Sequence, residues 1–197
     1  YKLERALDYF GIEPRGRVCL DCGASTGGFT DCLLQRGAAR VYAVDVGYGQ
    51  LAWSLRSDER VVCRERVNAR GLTPEMFGEK PSLTVIDVSF ISLRLVLPAV
   101  KSVAAPECEV ICLVKPQFEA GREKVGKRGV VRELSTHIEV LEAFFEDAVN
   151  AGFAPMGLTY SPIRGPQGNI EFLGFLRNGG ESPALDIRSV AEEAHKL

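Results

Sequence analysis

The sequence lacks the features that would place it in a membrane or mark it as a strongly charged binding protein. No apolar run approaches the roughly 20 residues that a membrane-spanning helix needs. The first residues are charged and amphipathic, unlike a signal peptide. The net charge is only −2, so any nucleic-acid binding would have to come from a local basic patch. We expect one globular domain with a sizeable core from 197 residues, of which 46% are hydrophobic.

The cysteine pattern is not that of a disulfide framework or a zinc site. Cys19 and Cys22 have C-x-x-C spacing, but no second pair follows at zinc-ligand spacing. On a strand these two side chains would point to opposite faces of the sheet. Most of the six cysteines lie in apolar segments, where a free thiol behaves as a small hydrophobe. We therefore expect reduced thiols, no bound metal and a cytoplasmic protein.

Two common nucleotide-binding motifs are also absent, G-x-G-x-x-G and G-x-x-x-x-G-K-[ST]. Residues 18–29 instead read V-C-L-D-C-G-A-S-T-G-G-F, an apolar strand that runs into a glycine-rich turn and a helix. Glycine tolerates positive φ and has no Cβ, so such a turn lets the backbone approach a ligand closely. The acidic Asp21 before the turn would repel a pyrophosphate but suits an ammonium group. This favours S-adenosylmethionine over a nicotinamide dinucleotide, which stays as an alternative.

Strand-like and helical patterns alternate along the chain, which indicates an α/β fold with an open, mostly parallel sheet. We predict strands over 17–21, 40–45, 61–65, 83–87 and 109–114, and helices over 3–10, 27–36, 49–56, 92–104 and 136–151. Thr136 and Glu139 match a capping box for the last helix. Two further strands, 153–161 and 169–177, are joined by a connection too short for a crossover helix. They predict an antiparallel hairpin that completes a seven-stranded sheet.

Polar residues follow the predicted parallel strands, and the carboxyl ends of such strands share one edge of the sheet, where ligands bind. Asp21, Asp45, Asn68, Asp87 and Lys115 stand at these ends. Asp45 comes 17 residues after Gly28, about where an acid reaches ribose hydroxyls. A single such acid could equally be a helix cap or a solvated loop residue. Together they predict a cofactor site built from Asp21, Gly23, Ser25, Thr26, Gly27, Gly28, Phe29, Asp45, Val46, Asn68 and Asp87.

The combined motifs resemble those of the TlyA-type ribosomal RNA methyltransferases, close to the FtsJ-like 2′-O-methyltransferases, some of which carry a hemolysin label. The resemblance runs from Lys2 to about Arg177 and rests on L-D-C-G-A-S-T-G-G-F-T-D, V-Y-A-V-D-V-G-Y-G-Q-L, D-V-S-F-I-S-L, L-V-K-P-Q-F-E and G-N-I-E-F-L. It implies a Rossmann-like methyltransferase domain over 1–177 with the terminal hairpin. The residues that follow, 178–197, are predicted from their own pattern to form a linker over 178–183 and a short helix over 184–197. The resemblance also implies methyl transfer from S-adenosylmethionine to ribose 2′-hydroxyls of ribosomal RNA.

The related enzymes use a Lys-Asp-Lys-Glu tetrad, which the motifs match to Lys2, Asp87, Lys115 and Glu171. A ribose hydroxyl is a poor nucleophile, so its proton must be drawn away during attack. Lys115 could accept that proton if neutral, or orient the hydroxyl and stabilise its negative charge if protonated. As an alternative without function, Glu171 could be a buried acid paired with Arg164 or Arg177, and Lys115 could simply end a strand.

A local basic patch exists in the glycine-rich segment 122–132, where we predict that Arg122, Lys124, Lys127 and Arg128 contact RNA phosphates. The expected partner is ribosomal RNA or a ribosomal subunit, with no membrane partner. Full-length relatives carry a small N-terminal RNA-binding domain, which this chain, not beginning with Met, is expected to lack. A non-catalytic RNA- or ribosome-binding module and a membrane-lytic protein are the remaining alternatives, and no strongly basic amphipathic helix supports the latter.

Overall fold

The strands of the computed structural model, which describes residues 1–197, follow the predicted apolar runs. They are β1 (Val18–Cys22), β2 (Arg40–Val44), β3 (Val61–Arg64), β4 (Leu83–Ile86), β5 (Glu109–Val114), β6 (Ala154–Tyr160) and β7 (Phe172–Arg177). The inner strands are rich in Val, Ile, Leu and Cys and are buried on both faces, as parallel strands between helical layers must be.

The seven strands form one sheet in the order β3-β2-β1-β4-β5-β7-β6. The first five strands pair in parallel, whereas β7 pairs antiparallel with both β5 and β6. The predicted α/β class and the C-terminal hairpin are therefore confirmed. The hairpin is inserted so that its second strand, not its first, lies beside β5.

Helices cover both faces of this sheet. They are α1 (Lys2–Phe10), α2 (Gly28–Gln35), α3 (Trp53–Arg56), α4 (Leu93–Val103), α5 (Pro116–Glu119), α6 (Leu134–Asn150) and α7 (Ile187–Ala194). No helix combines the length and the apolar character that crossing a membrane would need.

Two local helix predictions were wrong. The helix predicted over 49–56 is only the single turn α3, because the preceding residues form a glycine-containing loop at the sheet edge. The predicted capping box also fails, because α6 begins two residues before Thr136 and has Glu133 at its N-cap without a side-chain cap. Glu139 instead forms an ion pair with Lys124.

The core is divided by the sheet into two apolar clusters. Helices α4, α6 and α7 pack on one face, and α1 and α2 pack on the other. Cys22 belongs to the first cluster and Cys19 to the second, as strand periodicity predicted. The terminal helix α7 contributes Ala191 and Ala194, both fully buried, to the first cluster.

Candidate active site

The glycine-rich turn connects the end of β1 to α2 at the carboxyl edge of the sheet. Gly23 has φ +89°, and a Cβ added there would lie 2.0 Å from the Asp87 carbonyl oxygen. Gly27 has φ +106°, and a Cβ there would lie 2.2 Å from the Leu55 side chain. Both positions therefore need glycine for conformation and for space. The turn is packed directly against the backbone that follows β4.

Asp21, the acid predicted before this turn, is fully buried. Its Oδ2 accepts a hydrogen bond of 2.7 Å from Thr30 Oγ1, while its Oδ1 is buried without a partner in the protein. Burial raises the pKa of Asp21 to about 7, with smaller effects from the nearby negative charges of Asp87 and Asp45 and an opposing one from the Thr30 hydrogen bonds. An unpartnered carboxylate oxygen of this kind is an acceptor for a cationic ligand group.

Asp45, the acid after β2, is held by backbone N–H groups of the two neighbouring loops. Ser25 N donates to its Oδ2, and Gly47 N donates to its Oδ1 at 2.8 Å. Ser25 itself has φ +53°, an uncommon conformation for a residue with a side chain. A cavity of about 10 Å³ lies here, lined in part by Ser25, Asp45 and Gly47.

The other predicted cofactor residues surround this edge of the sheet. Thr26 accepts a backbone hydrogen bond from Ala52, and Gly28 and Phe29 form the first turn of α2. Val46 is exposed on the loop after β2. The Asn68 side chain accepts from Arg70 N and so caps a short 3-10 turn. Contact of these residues with a cofactor stays a prediction.

The four residues matched to the tetrad are brought together as two ion pairs. Lys115 Nζ lies 2.5 Å from Asp87 Oδ1, and Lys2 Nζ lies 2.7 Å from Glu171 Oε1. The strand register explains why these residues meet. Val114, the last residue of β5, is opposite Phe172, the first residue of β7. Because the two strands are antiparallel, Lys115 after Val114 lies beside Glu171 before Phe172. Asp87 directly follows β4, the parallel neighbour of β5 on its other side.

Burial differs among the four residues in a way that matters for chemistry. The Glu171 side chain is inaccessible to solvent and Lys115 is nearly so, whereas Asp87 and Lys2 are partly exposed.

The alternative pairing of Glu171 with an arginine is wrong. Arg177 contacts Glu109, and Arg164 donates to the backbone carbonyl oxygens of Gly168 and Leu197.

Several residues of this site were missed by sequence reasoning. Lys115 Nζ also donates to Ser89 Oγ at 3.2 Å, and Gln117 Nε2 donates to Glu171 Oε2 at 2.9 Å. Ser89 stands in the motif D-V-S-F and Gln117 in K-P-Q-F, but neither residue type indicates a functional role by itself. Phe90 has φ +63°, is 89% exposed and packs on Phe118 with ring centroids 4.8 Å apart.

The basic segment lies beside the same edge of the sheet. Asn169, two residues before Glu171, accepts from Val131 N through its Oδ1 and donates to the Gly129 carbonyl through its Nδ2. Arg122, Lys127 and Arg128 are exposed, while Lys124 is paired with Glu139 at 2.5 Å. Three of the four cations predicted to contact RNA are therefore free of an acidic partner.

Known proteins share this fold. The family model of the FtsJ-like methyltransferases matches residues 1–178. The 16S/23S rRNA (cytidine-2′-O)-methyltransferase TlyA of Mycobacterium tuberculosis is 49% identical over 196 residues, covering all of this chain and 73% of that protein.

Two solved structures extend the comparison. A Streptococcus thermophilus protein provisionally named a hemolysin has a TM-score of 0.94 and 50% identity, covering 99% of this chain and 72% of that one. A Listeria monocytogenes structure described as an S-adenosylmethionine-dependent methyltransferase shares the fold, with a TM-score of 0.61 and 15% identity, over 89% of this chain and 97% of its own. The chain belongs to the FtsJ-like methyltransferase family.

Proposed function

We infer that this protein transfers a methyl group from S-adenosylmethionine to the 2′-hydroxyl of a ribose in ribosomal RNA. One observation carries the inference: two lysine–carboxylate pairs converge beside a glycine turn that packs directly on Asp87. The reaction named for the Mycobacterium tuberculosis relative, cytidine-2′-O-methylation of 16S/23S rRNA, agrees with it.

The residues around the glycine turn fit S-adenosylmethionine. The donor carries an ammonium group and a ribose diol but no phosphate. The buried, unpartnered Asp21 Oδ1 suits the ammonium, and the Asp45 carboxylate suits the diol. Gly23 and Gly27 provide the close approach of backbone that side chains would block. When bound, the donor supplies a methyl group on a positively charged sulfur.

Lys115 and Asp87 are placed to handle the proton of the ribose hydroxyl. Lys115 Nζ donates to Ser89 Oγ at 3.2 Å and forms an ion pair with Asp87 Oδ1, a buried oxygen that has no hydrogen-bond partner in the protein. A further N–H group of Lys115 can point to the hydroxyl oxygen. As the oxygen attacks, Lys115 Nζ can pass one proton to Asp87 and take up the hydroxyl proton, so the lysine stays protonated and the net proton goes to the carboxylate. The remaining positive charge stabilises the oxygen as it becomes negative.

Lys2 and Glu171 contribute orientation and charge balance. The Glu171 carboxylate is 1% exposed, and a buried carboxylate needs partners to remain charged. Lys2, in the first helix of the chain, supplies this charge partner, and its Nζ lies 2.7 Å from Glu171 Oε1. A second ammonium is thereby fixed next to the site of reaction. Much of the rate would come from holding the hydroxyl and the methyl group in line.

Two surfaces near the tetrad suit RNA as the acceptor. The free cations Arg122, Lys127 and Arg128 can neutralise phosphates, which gives affinity without sequence information. The exposed Phe90, supported by Phe118, offers a flat aromatic surface for an unstacked base. A relative that acts on ribosomal RNA supports a cytoplasmic location, and the chain spans 73% of that relative's length. The N-terminal RNA-binding domain expected from the resemblance remains a proposal.

The test is methyl transfer with isolated ribosomal subunits and radiolabelled S-adenosylmethionine, followed by mapping of 2′-O-methyl sites. We expect label on ribose with wild-type protein. Lys115→Met should abolish transfer while calorimetry still shows cofactor binding, and Lys196→Met, in the exposed C-terminal segment, should behave as wild type. Label on a nucleobase, or near-normal transfer by Lys115→Met, would refute the proposed role.

A further inference from the structure

Gln117 joins the Lys2–Glu171 ion pair to the chain segment that carries Lys115. It lies two residues after Lys115 and donates through Nε2 to Glu171 Oε2 at 2.9 Å, while Glu171 Oε1 faces Lys2. Each oxygen of this buried carboxylate therefore has one dedicated partner. The amide belongs to the segment that carries Lys115, and the carboxylate belongs to the pair with Lys2. Gln117 therefore links Glu171, through its side chain, to the backbone of the segment that carries Lys115.

The segment that carries Gln117 is fixed at both ends. At its start, Lys115 pairs with Asp87, and Pro116 restricts φ at the first position of α5. At its end, the Glu119 carboxylate accepts from Ser92 Oγ at 2.7 Å and from Leu93 N at 2.9 Å. The Gln117 amide is therefore presented from a rigid turn.

The surroundings also determine which way the amide points. A carboxylate oxygen can only accept, so the charge of Glu171 requires the NH₂ group of Gln117 to face it. Gln117 Oε1 is then left buried without a partner in the protein, a cost that buried polar atoms usually avoid. On the far side, the Gly165 backbone closes on Glu171 so tightly that an added Cβ would lie 2.2 Å from Oε2. Glu171 is held from two sides.

We propose that Gln117 is a positioning residue that orients the Glu171 carboxylate toward Lys2 and so couples the Lys2–Glu171 pair to Lys115. This inference rests on the proposed methyl transfer. Gln117 does not touch the reacting atoms in this role. It acts through Glu171, so its effect on the rate of methyl transfer should disappear when Lys2 is replaced.

The test is a double-mutant cycle on the rate of a single turnover, with saturating labelled S-adenosylmethionine and ribosomal subunits. Gln117→Met keeps the side-chain length but loses the donor. It should slow methyl transfer about tenfold, the lower end for a hydrogen bond to a charged group, with cofactor affinity within about twofold of wild type. In a Lys2→Met background the same change should cost less than about twofold, because the carboxylate no longer has an ammonium to orient.

Gln35→Met is the matched control. Gln35 also donates an amide N–H to a carboxylate, Asp31 Oδ2 at 2.7 Å, but on the exposed side of α2. It should leave the rate unchanged. Equal losses from Gln117→Met in both backgrounds, or no loss in either, would overturn the proposal. Gln117→Glu keeps the shape and places a second carboxylate against Glu171. It should be slower than Gln117→Met, and a rate at or above that of Gln117→Met would equally overturn it. Wild-type protein without any transfer would instead refute the proposed function.

Discussion

Replacing Gly165 with alanine should inactivate the enzyme through Glu171, although Gly165 has no side chain of its own to contribute. Gly165 has φ −80°, so alanine is tolerated by the backbone. The added Cβ, however, would lie 2.2 Å from Glu171 Oε2 and 2.5 Å from its Cδ. Both distances are well short of a normal separation between non-bonded heavy atoms, which is about 3.5 Å. Either the loop or the carboxylate must move.

The structure sets the size of this effect. Forcing an extra methyl group into a packed site costs about 1–3 kcal/mol. At about 2–4 °C per kcal/mol for a chain of this size, the melting temperature should fall by roughly 2–12 °C. If Glu171 moves instead of the loop, its ion pair with Lys2 at 2.7 Å is broken and a buried carboxylate is left poorly paired. Methyl transfer should then fall at least about tenfold more than partial unfolding explains.

The assay is single-turnover methyl transfer at a temperature well below both melting points, with calorimetry to show that S-adenosylmethionine still binds. Gly71→Ala is the control, because a Cβ there meets nothing within 4 Å and its φ is ordinary. A Gly165→Ala protein that matches Gly71→Ala in both activity and melting temperature would refute the reasoning that the Gly165 backbone confines Glu171.

Three further predictions concern RNA binding and stability. Phe90→Ala should weaken binding of ribosomal RNA by about 1–3 kcal/mol if a base stacks there, measured by filter binding, and unchanged affinity would exclude stacking. Alanine in place of the free cations of the basic segment should make the negative slope of log affinity against log salt shallower by roughly 0.7–0.9 for each phosphate that is no longer neutralised. These cations are Arg122, Lys127 and Arg128, and an unchanged slope would contradict the predicted role of this segment. Burial, together with nearby His195 and Arg164, lowers the pKa of His137 to about 4. Protons therefore bind this residue more tightly in the unfolded chain, so the stability that His137 contributes should fall as pH drops from about 6.5 to 4, by about 2 kcal/mol between pH 7.5 and 5. The raised pKa of buried Asp21 changes stability in the opposite direction over this range. The measurement is therefore the difference between wild type and His137→Gln in chemical denaturation at the two pH values, and the same pH dependence in both proteins would contradict the prediction.

The sequence was sufficient to predict the elements of the fold whose pattern lies within a short stretch of chain. Continuous apolar runs predicted every strand to within a few residues, and β5 has the same bounds as the predicted strand over 109–114. The bounds of some helices were harder to predict. The helix predicted over 49–56 shrinks to one turn, because two glycines in the loop before Trp53 favour irregular backbone over helix. The helix α6 starts earlier than its capping pattern suggested, since packing rather than a cap determines where it begins.

The pairing within the site could not be read from the sequence. Lys2 and Glu171 are 169 positions apart, and which lysine meets which acid depends on the order of strands in the sheet. Family motifs supplied the four residues but not their arrangement as two pairs. The proposed role of Gln117 could not be predicted from the sequence for a similar reason. An amide two residues after a lysine has no distinctive sequence pattern, and only the geometry shows that Gln117 donates to Glu171.

The direction of β7 brings the four residues of the proposed acceptor site to one edge of the sheet. The parallel strands present their carboxyl ends here, so Asp87 and Lys115 follow β4 and β5 directly. Because β7 runs antiparallel to β5, its amino end lies at the same edge, and Glu171 precedes it there. A parallel strand of the same six residues would place Glu171 at the opposite edge, about 20 Å away. The departure from an all-parallel sheet therefore adds an acid, and through it Lys2, to a cofactor edge that the parallel strands had already built.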